Sequence, residues 1–378
     1  MKFFVYNEKM LGELTPSEFL REYWQKKPLL IRNAFPGFSG LVSPGELIEL
    51  SGYEDAQSRL VAFDGQNWTL ENGPFEKKRF RKLSGHWTLL VQGVNHFLPE
   101  GDALLSRFDF VPRARLDDLM VSYAPDGGGV GPHFDSYDVF LLQGLGRRKW
   151  QIASDTPEDL IPDAPLRILS RFEARQEWIL EPGDMLYLPP KYAHNGVAVG
   201  ESMTYSIGFR APSAQELAVQ FLAYLQERIE LGGLYSDPDL ALQAHPAEIG
   251  TTMIGKVEEM ISGISWNGKD IEHFLGTYLS EPKPHVYFDP PGRRMPLAKF
   301  RSAVAKSGLR LDLRTQMLFT RDDLYLNGER IGFAGLDANL LKQLADSRHL
   351  PPCELPAETA ARLHEWLGYG YLEIGPIP

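Results

Sequence analysis

Residues 181–194 read EPGDMLYLPPKYAH, from Glu181 to His194. The stretch opens with a Pro-Gly-Asp turn, continues with four apolar residues at positions 185–188, and ends that run with two prolines shortly before His194. Short apolar segments closed by glycine and proline are typical of all-β sandwiches and barrels. We therefore expect His194 at the rim of a strand in such a barrel. The alternative is that the Pro-Gly-Asp sequence forms a turn with no part in a functional site and that His194 is a polar cap on that turn.

Short strands of the same kind are predicted on both sides of this stretch, across residues 84–209. Their apolar or alternating runs are broken by Gly, Pro and Asn. The predicted strands are residues 87–92, 119–124, 133–142, 148–153, 178–180, 185–188 and 203–209. Seven short strands indicate a double-sheet barrel.

His133 and Asp135 are two residues apart in the predicted strand 133–142, so their side chains should point to the same face. Alone, a His-x-Asp pattern is weak, because many histidines lie on the surface or are satisfied in a core. Together with His194 it gives two imidazoles and one carboxylate, a set that leaves positions on Fe(II) for a bidentate cosubstrate and dioxygen. Cys353 is the only cysteine, which excludes a thiolate zinc site or a disulfide framework within one chain.

One face of the predicted strand 148–153 must be the barrel interior, and Arg148 is the candidate cation for that face. In strand 148–153 it shares one face with Trp150 and Ile152, whereas Arg147 and Lys149 lie on the other. An unpaired buried charge is costly, and no acidic residue on this strand is an obvious partner. A bound carboxylate, which matches the planar guanidinium fork, is the economical partner. The alternative is an exposed basic trio in a loop.

Length and charge narrow the class of protein. The 378 residues allow two or three domains. Thirty-nine Lys and Arg against 50 Asp and Glu give a net charge of −11, which argues against nucleic-acid phosphates as the main partner and favours a cationic substrate. The apolar run within residues 1–8 is too short for a signal peptide, and no run reaches the ~18 apolar residues of a membrane span. We expect a cytoplasmic protein with no membrane partner.

The flanking segments read as mixed α/β and then helical. Capping boxes predict helices after Thr15 and Ser43, with a strand at 28–32 between them, and a third box at Ser213 opens helical sequence that continues to about residue 279. Residues 281–294 are rich in proline and charge and form the best candidate linker. The last module has an Asn-Gly hairpin signal at Asn327, helices at 336–347 and 357–367, and a strand at 369–374. Its nine Lys and Arg against ten Asp and Glu, over residues 301–378, give no basic face for direct DNA binding.

The motifs together resemble the JmjC branch of the Fe(II)/2-oxoglutarate oxygenases. They are most similar to the bacterial ribosomal oxygenases, which hydroxylate an arginine of large-subunit ribosomal protein sixteen. The residues that carry the resemblance are His133-Phe134-Asp135, Arg148 fifteen positions after the first histidine, and the stretch from Pro182-Gly183-Asp184 to His194. The likeness extends over nearly the whole chain.

The resemblance implies an α+β protein with a double-stranded β-helix core of the cupin and JmjC type. It divides the chain into an N-terminal α/β extension packing on the barrel (1–83), the catalytic barrel (84–210), a helical segment that forms a homodimer (211–295) and a winged-helix-like module (296–378).

The resemblance also implies the roles of the site residues. His133, Asp135 and His194 would be the iron ligands, and Arg148 would bind the distal carboxylate of 2-oxoglutarate. Fe(II), 2-oxoglutarate and O₂ would be required, and succinate and CO₂ would be co-products. Many JmjC proteins have lysine at the Arg148 position, so this arginine fits the bacterial ribosomal branch and weakens a histone-demethylase interpretation.

Substrate contacts are predicted on the strand 119–124 and near the metal motif. If the Ser122 hydroxyl reaches the 2-oxoglutarate pocket, the strand period places Asp118 on the same face, where it could bind the substrate guanidinium. Asp118 could equally be an exposed aspartate at the start of its strand. Tyr137, with Tyr187 and Tyr192, could line the channel for the basic ribosomal substrate, although aromatic residues there are often core.

Two other functions compete with the oxygenase prediction. One is a different cupin-type metalloenzyme, a dioxygenase or isomerase in which Arg148 binds a small anionic substrate. The other is a binding module that docks to the ribosome without turnover; the complete triad argues against it.

Overall fold

The computed structural model describes residues 10–154 and 156–375, so the N-terminal apolar run lies outside the described residues. The chain divides into two compact units. The barrel unit contains the described residues up to Ala211 together with segments Pro282–Thr315 and Gly335 onward. The helical unit contains Pro212–Glu281 and Gln316–Ala334. The four-part division at residues 83, 210 and 295 stays a prediction.

The helices and strands are numbered along the chain. The helices are α1 Pro16–Glu22, α2 Pro44–Leu50, α3 Lys77–Phe80, α4 Pro99–Leu105, α5 Ala214–Gln226, α6 Thr251–Ile261, α7 Gly268–Ser280, α8 Leu297–Ser307, α9 Ala338–Ser347 and α10 Ala357–Gly368. The strands are β1 Leu29–Ile31, β2 Ser58–Phe63, β3 Trp68–Asn72, β4 His86–Val91, β5 Leu116–Ala124, β6 Asp138–Gln143, β7 Arg147–Ala153, β8 Gln176–Leu180, β9 Met185–Leu188, β10 Ala193–Val199, β11 Ser202–Phe209, β12 Leu309–Leu311, β13 Met317–Phe319, β14 Asp323–Leu326, β15 Glu329–Gly332, β16 His349–Leu350 and β17 Leu372–Ile374. None of the described helices is both long and apolar enough to cross a membrane.

Two antiparallel sheets form the core of the barrel unit, as predicted. The main sheet has the order β1-β9-β6-β11-β5-β4-β2-β3, and the second sheet has the order β10-β7-β8. In the second sheet, Arg148 lies opposite Ala198 and Leu180, and Trp150 lies opposite Gly196 and Trp178. This register fixes which side chains of β7 enter the interior.

Strand β6 separates two hydrophobic cores, one on each face of the main sheet. Its side chains alternate, with Val139 and Leu141 in the core between the sheets and Phe140 and Leu142 in the core on the outer face of the main sheet. The inner core also contains Trp150, Ile152, Leu180, Leu186 and Leu188. The outer core contains residues of α1, α2 and α4, including Phe19, Leu47 and Leu104. The metal motif therefore begins at the mouth of the inner core.

Both N-terminal capping boxes are confirmed. The Thr15 hydroxyl accepts from the Glu18 amide, and the Glu18 carboxylate accepts from the Thr15 amide; Ser43 and Glu46 repeat the arrangement. The sequence predicts a first helix that extends to about Lys27, but the helix ends at Glu22, because Gln25 adopts a left-handed backbone with φ of 57°.

Three sequence predictions of strands need correction. Residues 134–137 are irregular, so the strand predicted to begin at residue 133 begins only at Asp138. Strand β10 was not predicted, because its Ala-His-Asn-Gly start carries small and polar residues. Strands β2 and β3 were also missed; they extend the main sheet, so the N-terminal part of the chain supplies strands as well as packing on the barrel.

The remaining part of the barrel unit is a small sheet, β16-β12-β17, with helices α8, α9 and α10. Arg348 ties these elements together. Its guanidinium donates to the carbonyls of Asp312, Leu313 and Thr315 and pairs with Asp102 of α4 at 3.0 Å. The predicted helices and terminal strand of this module are confirmed, with small shifts at their ends.

The helical unit contains α5, α6, α7 and the hairpin sheet β13-β14-β15, whose turn lies at the predicted Asn-Gly pair. Phe274 of α7 packs against Phe221 and Tyr224 of α5, with ring centroids 5.3 and 5.7 Å apart. Helical sequence was predicted to dominate up to about residue 279; the helices α5, α6 and α7 are found there, but residues 228–250 form no helix.

Candidate active site

The two histidines of the predicted metal set lie opposite each other in an isolated antiparallel bridge. His194 is on β10 of the second sheet, and His133 precedes β6 of the main sheet. The bridge therefore joins the two sheets at the mouth of the barrel. Asp135 lies in the irregular segment after His133, so the local loop, and not strand periodicity, brings its carboxylate to the histidines.

The side-chain geometry suits a divalent metal ion. Asp135 Oδ1 lies 3.7 Å from His133 Nε2, and Asp135 Oδ2 lies 3.5 Å from His194 Nε2. All three potential ligand atoms lie within 4.8 Å of one another. His133 Nδ1 is 2.9 Å from the Gly131 carbonyl and His194 Nδ1 is 3.0 Å from the Tyr192 carbonyl. Because a carbonyl only accepts, each Nδ1 carries the proton and each Nε2 keeps its lone pair for a ligand bond.

The charges of the set follow from its surroundings. Burial, and then the neighbouring His194, lowers the pKa of His133 to about 4, so this imidazole is neutral at pH 7. Burial raises the pKa of Asp135, but the contact with His194 and the attraction of both histidines outweigh it and hold that pKa well below its ordinary value. Burial lowers the pKa of His194, but the contact with Asp135 outweighs it and raises that pKa above its ordinary value. Asp135 is therefore an anionic ligand, which suits Fe(II) bound through two imidazole nitrogens and one carboxylate.

Arg148 points into the barrel, as the sequence predicts. Only 3% of the residue is exposed, whereas Arg147 on the opposite face is exposed. Its Nη1 donates to Ser122 Oγ at 3.2 Å, across to the main sheet, and its Nη2 donates to the Gly196 carbonyl at 3.2 Å. Burial lowers the pKa of Arg148 to about 10, which still leaves it positive at neutral pH. No carboxylate among the described residues lies within ion-pair distance of this charge.

Two buried donors, Arg148 Nε and Trp150 Nε1, have no hydrogen-bond partner within residues 10–154 and 156–375. Unpaired buried donors are rare in folded proteins and call for a missing partner. Trp150 lies beside the metal set, since the Trp150 and His194 rings are 5.9 Å apart, and the Arg148 guanidinium lies 5.3 Å from the centroid of the Trp150 ring. This part of the barrel interior therefore has the donors to hold an anion next to a metal ion.

Asp118 is buried, which excludes the exposed strand-start alternative. Only 5% of the residue is exposed, and its Oδ2 accepts from Gln92 Nε2 at 3.2 Å and lies 3.0 Å from Lys283 Nζ. The neighbouring Asp117 pairs with Arg210 at 2.8 Å and with Lys283 at 3.1 Å. Asp118 is thus one carboxylate of a paired cluster.

The three tyrosines have different positions. Tyr137 is 41% exposed and lies two residues after Asp135. Tyr192 is partly buried against the inner core, and its carbonyl orients His194. The prediction that Tyr187 lines the channel is wrong. Tyr187 is fully buried in the outer core, where its hydroxyl donates to Asp138 at 2.6 Å.

Sequence reasoning missed Gly196, Gln92 and Lys283 as parts of the site. No role was predicted for Gly196, but the site requires a glycine there: an added Cβ would lie 2.6 Å from the Trp150 ring and 2.9 Å from Arg148 Nε. Lys283 lies in the Pro-Lys-Pro sequence that was interpreted only as a linker. No local pattern could have identified these contacts, because each depends on strands or segments that are distant in the sequence.

The fold and the site define a JmjC-type double-stranded β-helix with an appended winged helix. Residues 103–217 match the JmjC domain, and residues 264–373 match the ROXA-like winged helix. The chain is 36% identical over 354 residues to the ribosomal protein uL16 3-hydroxylase of Escherichia coli (strain K12), covering 93% of this chain and 91% of that protein.

Solved structures agree with this relationship. The X-ray structure of E. coli YcfD has a TM-score of 0.83 and 34% identity, covering 96% of this chain and 98% of that one. The E. coli ribosomal oxygenase YcfD in complex with cobalt and 2-oxoglutarate matches with the same identity and coverage and a TM-score of 0.80. The chain belongs to the bacterial JmjC-type ribosomal oxygenases.

Proposed function

We propose that this protein is an Fe(II)- and 2-oxoglutarate-dependent oxygenase that hydroxylates an arginine side-chain carbon of large-subunit ribosomal protein uL16. The observation that carries the proposal is the buried charge of Arg148, which lies beside the triad and has no carboxylate partner in the part of the chain that the structure describes. Such a cation requires an anionic ligand, and a dicarboxylate supplies one. The relative named for uL16 3-hydroxylation and the solved complex with cobalt and 2-oxoglutarate support the same assignment.

His133, Asp135 and His194 would hold Fe(II) through two imidazole nitrogens and one carboxylate. Bound iron, with 2-oxoglutarate and O₂, supplies the oxidation in which 2-oxoglutarate becomes succinate and CO₂ and one oxygen atom enters a substrate C–H bond. Arg148 binds the distal carboxylate of the cosubstrate, and Ser122, already bonded to Arg148, completes that end of the pocket. The apolar side chains of Trp150 and Ile152 keep water away from this end.

The substrate arginine is proposed to enter past Tyr137 and to bind Asp118. Tyr137 is exposed next to the metal motif, and Asp118 is buried on β5, the strand that also carries Ser122. A carboxylate matches the planar fork of a guanidinium better than it matches an ammonium group. The net charge of −11 favours a basic polypeptide over a nucleic acid.

Assembly as a homodimer is proposed for the helical unit. Apolar side chains that are at least 40% exposed are concentrated there, and they include Val219, Leu222, Leu234, Leu240, Leu242, Ile249, Met253, Ile254, Met260, Ile261, Trp266 and Ile271. Exposed apolar patches of this density mark protein interfaces. A cytoplasmic location, where ribosomal proteins are made, is part of the same proposal, and the near-neutral C-terminal module gives no reason to expect direct DNA binding.

The test is incubation of the protein with Fe(II), 2-oxoglutarate and an arginine-containing segment of uL16, followed by mass spectrometry. We expect one added oxygen on an arginine side-chain carbon, together with stoichiometric succinate. Demethylation of a methylated peptide, or oxidation of free small molecules only, would overturn the assignment. Bound peptide without succinate would instead favour a binding module.

A further inference from the structure

Lys283 bridges the two carboxylates at the start of β5. Its Nζ lies 3.0 Å from Asp118 Oδ2 and 3.1 Å from Asp117 Oδ1. The lysine belongs to the irregular segment that follows residue 281, and its side chain is 26% exposed, compared with 6% for Asp118. It is therefore a partly exposed side chain at the edge of a nearly closed site.

This cluster lies beside the proposed catalytic centre. Gln92 links Asp118 to Arg59, with bonds of 3.2 and 2.7 Å, and Arg59 is one of the charges that act on Asp135. Coulombic interactions also connect Tyr137 with Asp118 and Lys283. The cluster thus occupies the side of the mouth where the substrate guanidinium is proposed to bind.

The charges of the cluster balance without a substrate. Two carboxylates, Asp117 and Asp118, face two cations, Arg210 and Lys283. An arginine entering from the substrate would be a third cation in a poorly solvated site, where an uncompensated charge is costly. Among the described residues, the Arg210 side chain pairs with Asp117, whereas Lys283 also pairs with Asp118, so Lys283 is the cation at the position where the substrate would bind.

We propose that Lys283 occupies the position of the substrate cation in the free protein, and that the substrate arginine reaches Asp118 by displacing it. This inference rests on the proposed function. Asp118 Oδ2 carries both the Lys283 and the Gln92 contacts. A guanidinium that replaces Lys283 can use both Asp118 oxygens, which a single ammonium does not match. Lys283 balances the charge of the two buried carboxylates until the substrate arrives, so a cation that pairs with Asp118 more weakly than Lys283 does is not admitted.

The variant Lys283→Met tests the displacement, because methionine keeps the length of the side chain without the charge. Since the substrate no longer has to displace a bound cation, its KM and its dissociation constant should fall by roughly 3- to 30-fold. The KM for 2-oxoglutarate should not change. Lys269→Met is the matched control: Lys269 also bridges two carboxylates, Glu272 at 3.1 Å and Asp322 at 2.9 Å, and its loss should leave peptide binding unchanged.

If Lys283→Met is unstable, a second variant and a chemical-modification experiment on the wild-type protein test the same displacement. Lys283→Arg should raise the peptide KM, because a tethered guanidinium holds Asp118 more firmly; a merely structural lysine would tolerate this change.

In the wild-type protein with Fe(II) and 2-oxoglutarate under anaerobic conditions, peptide binding should speed acetylation of Lys283, detected by mass spectrometry. Slower acetylation, or an unchanged or higher peptide KM in Lys283→Met, would overturn the displacement. Absence of arginine-peptide oxidation by the wild type would instead overturn the proposed function itself.

Discussion

His133 and His194 are held opposite each other by two reciprocal backbone hydrogen bonds. The His133 amide donates to the His194 carbonyl at 3.0 Å, and the His194 amide donates to the His133 carbonyl at 2.9 Å. Because backbone atoms make these bonds, replacing either side chain leaves the bridge and the adjoining sheets in place. Variants of the metal set should therefore fold, and their activity can be interpreted as a property of the site.

The variant His133→Ala should fold normally and lose turnover. Removing one of three protein ligands leaves too few donors to hold Fe(II) against water. Succinate production in the presence of peptide measures the loss, and circular dichroism measures the fold. His245→Ala, at an exposed position of the helical unit, is the control and should behave as the wild type. Near-normal succinate production by folded His133→Ala would exclude the proposed triad.

The variant Arg148→Ala should weaken 2-oxoglutarate binding. A charge-assisted hydrogen bond contributes about 1.5–3 kcal/mol, so the KM for 2-oxoglutarate should rise by roughly 10- to 150-fold. Arg147→Ala is the control, since Arg147 points outward from the same strand. A large effect at Arg147 and none at Arg148 would contradict the assignment of the cosubstrate pocket.

The fold was predictable from the sequence where alternation and turn signals are strong. Strand β9 matches its prediction at both ends, because a Pro-Gly-Asp turn and a Pro-Pro pair delimit it. Strand β10 was missed, because its apolar signal is interrupted by small and polar residues whose β conformation depends on pairing with β7. Residues 134–137 were predicted as strand because local alternation cannot reveal that the chain leaves the sheet to carry Asp135.

The site was predictable where the type of a single residue indicates which ligand it can bind. His133, Asp135, His194 and Arg148 were identified from residue type and spacing, and the structure brings them together. The contacts of Asp118 were not predictable, because Lys283 follows it by 165 positions. Tyr187 was misplaced because aromatic residues near a motif look alike in sequence, whether they face a channel or a core.

The variant Gly196→Ala should impair the cosubstrate pocket. The new Cβ would lie 2.6 Å from the buried Trp150 ring and 2.9 Å from Arg148 Nε, so one of these side chains must shift. We expect a loss of stability of about 1–3 kcal/mol, from overpacking, and a weaker affinity for 2-oxoglutarate. Gly255→Ala, in α6, meets nothing within 4 Å and should not lower either quantity. Unchanged cosubstrate affinity in Gly196→Ala would show that Arg148 is not constrained there.

The double variant Leu222→Glu/Ile254→Glu should break the proposed homodimer. These side chains are 61% and 54% exposed in the chain alone, so the substitutions introduce charge without disturbing a buried core. Light scattering after size-exclusion chromatography should give a dimer for the wild type and a monomer for the variant. The control Arg171→Glu changes charge at an exposed position of the barrel unit and should keep the dimer. A monomeric wild type would refute the proposal for the helical unit.

The variant Asp118→Asn should weaken peptide binding while sparing the cosubstrate. The amide cannot neutralise a guanidinium, so the KM for the arginine peptide should rise by roughly 10- to 150-fold, the value expected for a charge-assisted bond. The KM for 2-oxoglutarate should not change, because Ser122 and Arg148 lie farther along the barrel. Glu177→Gln is the matched control, since Glu177 is also a carboxylate near a lysine, 3.7 Å from Lys149, but it lies on the exposed face of the second sheet.

A peptide with lysine in place of arginine should react poorly with the wild type, and Asp118→Asn should reduce the difference between the two peptides. If Asp118→Asn discriminates between them as well as the wild type does, another group recognises the guanidinium.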